Sequence, residues 1–301
     1  MGKLTNEKNV HQLIADTVLQ SSYAPNPNRI GVTTLAGPPL VRQLRFKYHP
    51  YLSVDVAEQL WALLGTTAHK VLLDNPKFGW VFETKLTQQL RPEWPTLTGY
   101  VDGYNFLTGE VRDFKMTSVW SIIYGIKDGK PDWEQQLNVY GRMIALQGGK
   151  VTKLQDVAIL RDHNGGEALR NKDYPETPFY NFPSKIWTPQ EADEFIQHRF
   201  ELHTSKACEC TPEEKWLKPD TFAVMKGKNK KASKVEALKA DAETWISNQK
   251  KPEEYHIDVR KGEAGKCLKY CSVRTVCPFS PMYDKGLVKR VHDFEAKNKG
   301  K

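Results

Sequence analysis

Apolar positions along the chain recur at helical spacing in some stretches and alternate with polar ones in others, which outlines an α/β protein. From Ser53 to Asp74, residues Val56, Leu60, Leu63, Leu64, Val71 and Leu72 follow a helical period, with Ser53 or Asp55 placed as N-cap. Strand-like runs bounded by glycine, proline and asparagine come next: Gly79 to Thr87, Thr96 to Phe106 and Glu110 to Thr117. The stretch Phe106 to Glu110 reads as the hairpin turn between the last two. A second helix is capped by Asp132, carries Gln135 at the capping-box position, and is closed by Gly148 and Gly149. Leu154 to Arg161 reads as another strand. Thr188, Pro189 and Glu191 make a capping box with proline in the first turn, predicting a third helix to about His203. Ser233 with Glu236 predicts a fourth helix, and Tyr255 to Arg260 a short strand.

This order predicts a central mixed sheet flanked by helices, not regular βαβ repetition. Residues 1–29, which end in the loop-like stretch Ser21 to Asn28, read as an N-terminal extension. Residues 30–205 read as the core, and 206–301 as an appended segment completing the domain.

A chain of 301 residues has room for one large domain or two ordinary ones. The formal net charge is +8 and unevenly placed: residues 1–205 hold 22 basic and 22 acidic side chains, residues 206–301 hold 22 and 14. No run approaches the length of a membrane span, and the polar start, Met1 to Val10, lacks the apolar stretch of a signal peptide. The expectation is a cytoplasmic protein without a membrane partner. The five cysteines, Cys208, Cys210, Cys267, Cys271 and Cys277, all fall in the basic third. An odd number gathered at one end points to a reducing compartment and metal ligation.

The stretch Gly99-Tyr100-Val101-Asp102, then Asp113-Phe114-Lys115, carries the most chemistry. Period-two geometry puts Asp113 and Lys115 on one strand face, and hairpin pairing brings Asp102 beside Asp113. Two convergent carboxylates suit Mg²⁺ or Mn²⁺, and an adjacent lysine can orient or deprotonate a water. An acid two residues before a lysine occurs five times in the chain, so context singles out Asp113 and Lys115: the preceding hairpin and the apolar neighbours Val111 and Phe114.

Gly65-Thr66-Thr67-Ala68-His69, Glu83, Gly99 to Asp102, Asp113 to Lys115, and Gln136 to Tyr140 come in an order that resembles the RecB-like branch of the PD-(D/E)XK nucleases, from about Thr33 to Tyr140. The resemblance implies a restriction-endonuclease-like core. It implies that His69, Asp102 and Asp113 bind the metal, with Glu83 as a further ligand. Lys115 then serves the attacking water, and Gln136 and Tyr140 support the site or contact DNA. The implied activity is a Mg²⁺- or Mn²⁺-dependent exonuclease at DNA ends or single strands, in recombination, repair or phage DNA metabolism, with a recombination partner protein. A phage-encoded chain would work in the bacterial cytoplasm. The alternatives are a non-catalytic DNA-binding or assembly module on the same scaffold, or a structure-specific endonuclease such as a junction resolvase.

Cys267, Cys271 and Cys277 lie within eleven residues, and a tetrahedral or cubane site needs a fourth ligand, from Cys210 or Cys208. Members of the branch hold a [4Fe–4S] cluster with one early and three late cysteines. Here no cysteine precedes His69, and the stretch Val41 to Tyr51 offers Arg42, Arg45, Lys47 and His49 instead. The pattern from Cys210 through Trp216 and Phe222 to Cys277 resembles the C-terminal half of phage-encoded members, which makes Cys210 the expected fourth ligand and Cys208 the spare. Zinc is the alternative metal.

The basic last third fits a phosphate-rich partner. Lys226 to Lys231 and Lys285 to Lys301 are its lysine runs, with Arg42, Arg45, Lys47 and His49 as a second basic strip. Trp216, Phe222, Trp245, Tyr255 and Tyr270 interleave with the charges, as surfaces for base stacking or as core.

Overall fold

The computed structural model describes residues 3–19, 26–73, 77–206 and 209–298. The chain divides into two compact units, residues 1–208 and 209–301. The first is α/β, with a mixed sheet flanked by helices. Its elements are β1 (Lys3–Thr5), α1 (Gln12–Leu19), β2 (Arg29–Gly31), α2 (Val32–Ala36), α3 (Pro39–Tyr48), β3 (Ser53–Asp55), α4 (Val56–Leu73), β4 (Trp80–Gln88), β5 (Thr96–Asn105) and β6 (Glu110–Thr117). They continue with α5 (Val119–Asp128), α6 (Pro131–Leu146), β7 (Lys153–Leu160), α7 (Gly165–Ala168), β8 (Phe179–Ser184) and α8 (Pro189–Thr204).

The main sheet runs β2-β5-β6-β7-β8, with β4 pairing β5. β4 lies antiparallel along β5 from Gln88↔Leu97 to Trp80↔Asn105. The other edge of β5 is shared. Its start pairs with β2, parallel, from Arg29↔Thr96 to Gly31↔Thr98, and its end pairs with β6, antiparallel, from Asn105↔Glu110 to Gly103↔Arg112. Residues 99–102 therefore face no strand on that edge, so the sheet opens at Gly99 to Asp102. Side chains from α6 (Leu137, Tyr140, Met143, Ile144), α8 (Ile196, Phe200) and α2 (Leu35) pack against Leu97, Val101, Val111 and Leu154 in a fully buried cluster.

The N-terminal stretch is folded rather than a bare extension. β1 pairs parallel with β3, and Ala15 and Val18 of α1 pack on Val56 of α4. Asp55 fixes this corner, accepting bonds from the Ala57 and Glu7 amides and from the Thr5 hydroxyl. Ser53 stands in β3, so Asp55 is the residue that caps the helix. Ser21 to Ala24 and Cys208 lie outside the described residues.

Two local expectations are corrected. Asp132 does not cap α6: Pro131 opens the helix, Lys130 stands at the cap without a side-chain bond, and Asp132 sits in the first turn. There its charge still favours the helix's positive end. The segment after Ser233 is not helical. Lys234–Glu236 pairs as a strand with Phe222 to Val224, because an open strand edge outcompetes a local Ser-x-x-Glu signal. The Thr188 capping box is present in full.

The second unit holds a three-stranded antiparallel sheet in the order β10-β9-β11: β10 (Lys234–Glu236), β9 (Thr221–Lys226) and β11 (Tyr255–Arg260). α9 (Lys239–Ser247) packs on all three strands through its buried Ala242. α10 (Gly265–Lys269) and α11 (Lys285–Asn298) follow. Trp245 packs edge-on against Tyr255, while Trp216 and Tyr270 are exposed. Among the described residues of either unit, no helix is long and apolar enough to cross a membrane.

Candidate functional site

The opening in the sheet is where the acidic side chains gather. Asp102 is the next residue beyond the last rung between β5 and β6, and Asp113 is its counterpart on β6. On the other edge, the β4–β5 ladder skips the rung between Glu83 and Asp102. Glu83 has φ of 46°, a left-handed backbone uncommon outside glycine.

With no strand partner toward β5, the Phe114 peptide is taken by site side chains. Its amide donates to Asp102 Oδ2 at 2.7 Å, and its carbonyl lies 2.9 Å from His69 Nε2. A carbonyl only accepts, so Nε2 is the donor in this bond. Nδ1 lies 3.7 Å from Glu83 Oε1, and Nε2 lies 3.7 Å from Asp102 Oδ2. An imidazole that donates one N–H to a backbone carbonyl and offers the other nitrogen is the arrangement of metal-ligating histidines. One ligand atom each from His69, Glu83 and Asp102 lies within 4.8 Å of the others.

Asp113 is held differently. Its Oδ1 accepts from Gln136 Nε2 at 2.8 Å, and its Oδ2 lies 2.6 Å from Lys115 Nζ. Lys115 also donates to Gln136 Oε1 at 2.9 Å, so one amide side chain orients both groups. Burial opposes the lysine's charge, but Asp113 outweighs it and the ammonium is held above its ordinary range. Burial, and then the charge of Asp113, push Asp102 up to about 7. A divalent cation would relieve both causes, so the donor set fits one: carboxylates with one imidazole suit Mn²⁺ or Mg²⁺.

Tyr140, one turn after Gln136, lies in the gap. Burial, and then the charge of Asp113, hold its hydroxyl above the ordinary tyrosine range. A Cβ at position 99 would stand 2.6 Å from the Tyr140 ring and 2.9 Å from Val32, so glycine is required for the tyrosine to seat there.

One site residue escapes the motif reading. Asp156 of β7 is the register partner of Asp113, is fully buried, and has no hydrogen-bond partner on either carboxylate oxygen. Burial, followed by the charge of Asp113, pushes it up to about 8. The signal in the sequence is a lone acid inside the apolar run Leu154 to Leu160.

The second unit carries the free cysteines Cys210, Cys267, Cys271 and Cys277. Val273 and Val276 are buried beneath the loop that carries Cys271 and Cys277, and Cys267 stands on α10. Main-chain bonds from Lys266 to Lys215 and from Lys218 to Glu263 lace the Cys210 segment alongside. Burial pushes the Cys210 thiol up to about 12, helped by Glu214 and then by Cys277, Cys271 and Cys267.

No family model and no curated protein matches the sequence. Among solved structures, the crystal structure of SSO0001 is similar to this chain at 17% identity and a TM-score of 0.43, covering 64% of this chain and 87% of that one.

Proposed function

We propose that the chain is a metal-dependent deoxyribonuclease with a RecB-like PD-(D/E)XK core, acting as an exonuclease at DNA ends. The observation that carries this reading is the break in the sheet. There His69, Glu83 and Asp102 converge, while Asp113 and Lys115 are locked together by Gln136. A bound Mn²⁺ or Mg²⁺ would supply Lewis acidity toward a phosphodiester and lower the pKa of a water. His69, Glu83, Asp102 and Asp113 are the residues that would hold it. Lys115 orients the attacking water and shields negative charge at the phosphate. Tyr140 fills the gap behind the carboxylates and excludes solvent.

In the same reading the four cysteines Cys210, Cys267, Cys271 and Cys277 hold a [4Fe–4S] cluster that staples the second unit. Zinc is the outcome that metal analysis would separate from it. The lysines of the second unit serve DNA binding.

Incubation with linear and covalently closed circular single-stranded DNA, in Mn²⁺ and in EDTA, tests the activity. Degradation of linear DNA alone, in Mn²⁺ alone, is the expected result. Cutting of the circle means an endonuclease, and binding with no cleavage means a recognition module.

A further inference from the structure

The sheet of the second unit ends on an unguarded edge. In the order β10-β9-β11, strand β11 (Tyr255–Arg260) pairs with β9 on one side, and among the described residues no strand takes its other side. The Gly227 amide donates to the Glu254 carbonyl at 2.9 Å, so Glu254 faces β9. Antiparallel strands alternate, and His256, Asp258 and Arg260 therefore also turn their main-chain groups toward β9. Tyr255, Ile257 and Val259 turn theirs outward, where among the described residues no main-chain partner meets them. Natural edge strands are usually blunted by proline, lysine or a bulge. β11 has none of these, and its ladder with β9 runs unbroken from Tyr255↔Lys226 to Arg260↔Thr221.

The side chains of β11 are sorted by face. Tyr255 stands on the α9 side, edge-on to Trp245, and period-two alternation puts Ile257 and Val259 with it. Val259 is 49% exposed. His256 and Asp258 share the opposite face, both exposed and 3.6 Å apart. Glu254 comes before them in the chain and Arg260 after them.

An edge of this kind accepts another strand, and the charges select which one. A copy of β11 can add antiparallel only in registers that oppose odd-numbered residues to odd-numbered ones, since those carry the outward groups. Centred on Asp258, the pairing opposes Asp258 to itself and His256 to Arg260. Centred on His256, it opposes Glu254 to Asp258. Centred on Ile257, it opposes Tyr255 to Val259, His256 to Asp258 and Glu254 to Arg260, each pairing occurring twice by symmetry. Of the three, the Ile257 register alone sets acids against histidine and arginine throughout. It also places those pairs in the rungs without hydrogen bonds, where opposed side chains come closest.

We infer that β11 is a self-association edge. A second copy of this chain adds its own β11 antiparallel, centred on Ile257, and two three-stranded sheets become one of six strands. The inference does not depend on the nuclease reading.

Sedimentation equilibrium of the full chain, in reducing buffer and without DNA, tests it. The wild type should dimerise with a micromolar Kd, as suits a small interface. Asp258→Lys removes the carboxylate opposite His256 and puts an ammonium there, and should weaken the dimer about tenfold. Adding His256→Asp should recover most of that loss, because the opposed charges are then exchanged rather than lost. Ile257→Pro removes an outward N–H that β9 does not use, and should leave a monomer with unchanged far-ultraviolet circular dichroism. A wild type that stays monomeric to about 100 µM overturns the inference. So does a dimer of wild-type strength in Asp258→Lys, which would put the interface elsewhere, and so does a failure of His256→Asp to recover it.

Discussion

Asp156 and Asp113 face each other across the β7–β6 ladder, and the two differ in one respect. Asp113 has both oxygens occupied, by Gln136 and Lys115, whereas Asp156 is fully buried with neither oxygen bonded. A buried carboxylate without a partner is costly, so Asp156 holds its proton through neutral pH. The pair thus places a neutral acid directly beside the charged one that Lys115 serves.

A consequence for stability follows from Asp156, whose carboxyl is raised to about 8 in the folded chain from an ordinary value near 3.8. A raised acid contributes stability that is complete below its unfolded value and is lost as pH climbs through the folded one. Between pH 7 and 9 the loss for one such group is ~1 kcal/mol. Urea unfolding in EDTA should show Asp156→Asn losing less stability than wild type over that interval. Parallel losses would mean that Asp156 is already ionised at pH 7.

Gln136 bonds both Asp113 and Lys115. Gln136→Leu should leave Mn²⁺ affinity nearly unchanged and lower Mn²⁺-dependent cleavage about tenfold, less than the loss on removing an acid–base group outright. Calorimetric Mn²⁺ titration beside the cleavage rate separates these. A large fall in Mn²⁺ affinity would make Gln136 a support of the ligands instead.

Gly99→Ala should destabilise the chain by roughly 1–3 kcal/mol, the range for overpacked cores, because its Cβ meets Tyr140 at 2.6 Å and Val32 at 2.9 Å. Combining it with Tyr140→Ala should cost less than the two changes summed. Additive unfolding energies would show that the tyrosine ring does not occupy the gap.

Much of the fold is legible in the sequence, and the reasons are local. Glu110–Thr117 reads correctly because its alternation is bounded by a glycine turn, and α8 because a complete capping box announces it. β10 is invisible beforehand, since Lys234–Glu236 becomes a strand only by pairing with β9. The motif residues His69, Glu83, Asp102, Asp113, Lys115, Gln136 and Tyr140 do assemble around one gap in the sheet. The sequence cannot show that gap, because it arises from β2 and β6 sharing one edge of β5. Asp156 is hidden for the same reason: its meaning comes from its register with Asp113.

For the cysteine cluster, Cys210→Ser and Cys271→Ser should each lose bound metal and lower the melting temperature, whereas Cys208→Ser should retain both. Iron, acid-labile sulfide and zinc content of anaerobically purified protein reads this out. Full metal content in Cys210→Ser would return the fourth position to Cys208.

The most direct measurement compares wild type with Lys115→Ala in one preparation, following Mn²⁺ binding, DNA binding and release of labelled nucleotides from linear DNA. The lysine donates to Gln136 and pairs with Asp113, and it is not among the grouped ligand atoms of His69, Glu83 and Asp102. The variant should therefore bind Mn²⁺ and DNA much as wild type does and cut at least about a hundredfold more slowly, the lower end for a lost acid–base group. Cleavage at the wild-type rate by Lys115→Ala would contradict the assignment of this site as a nuclease centre.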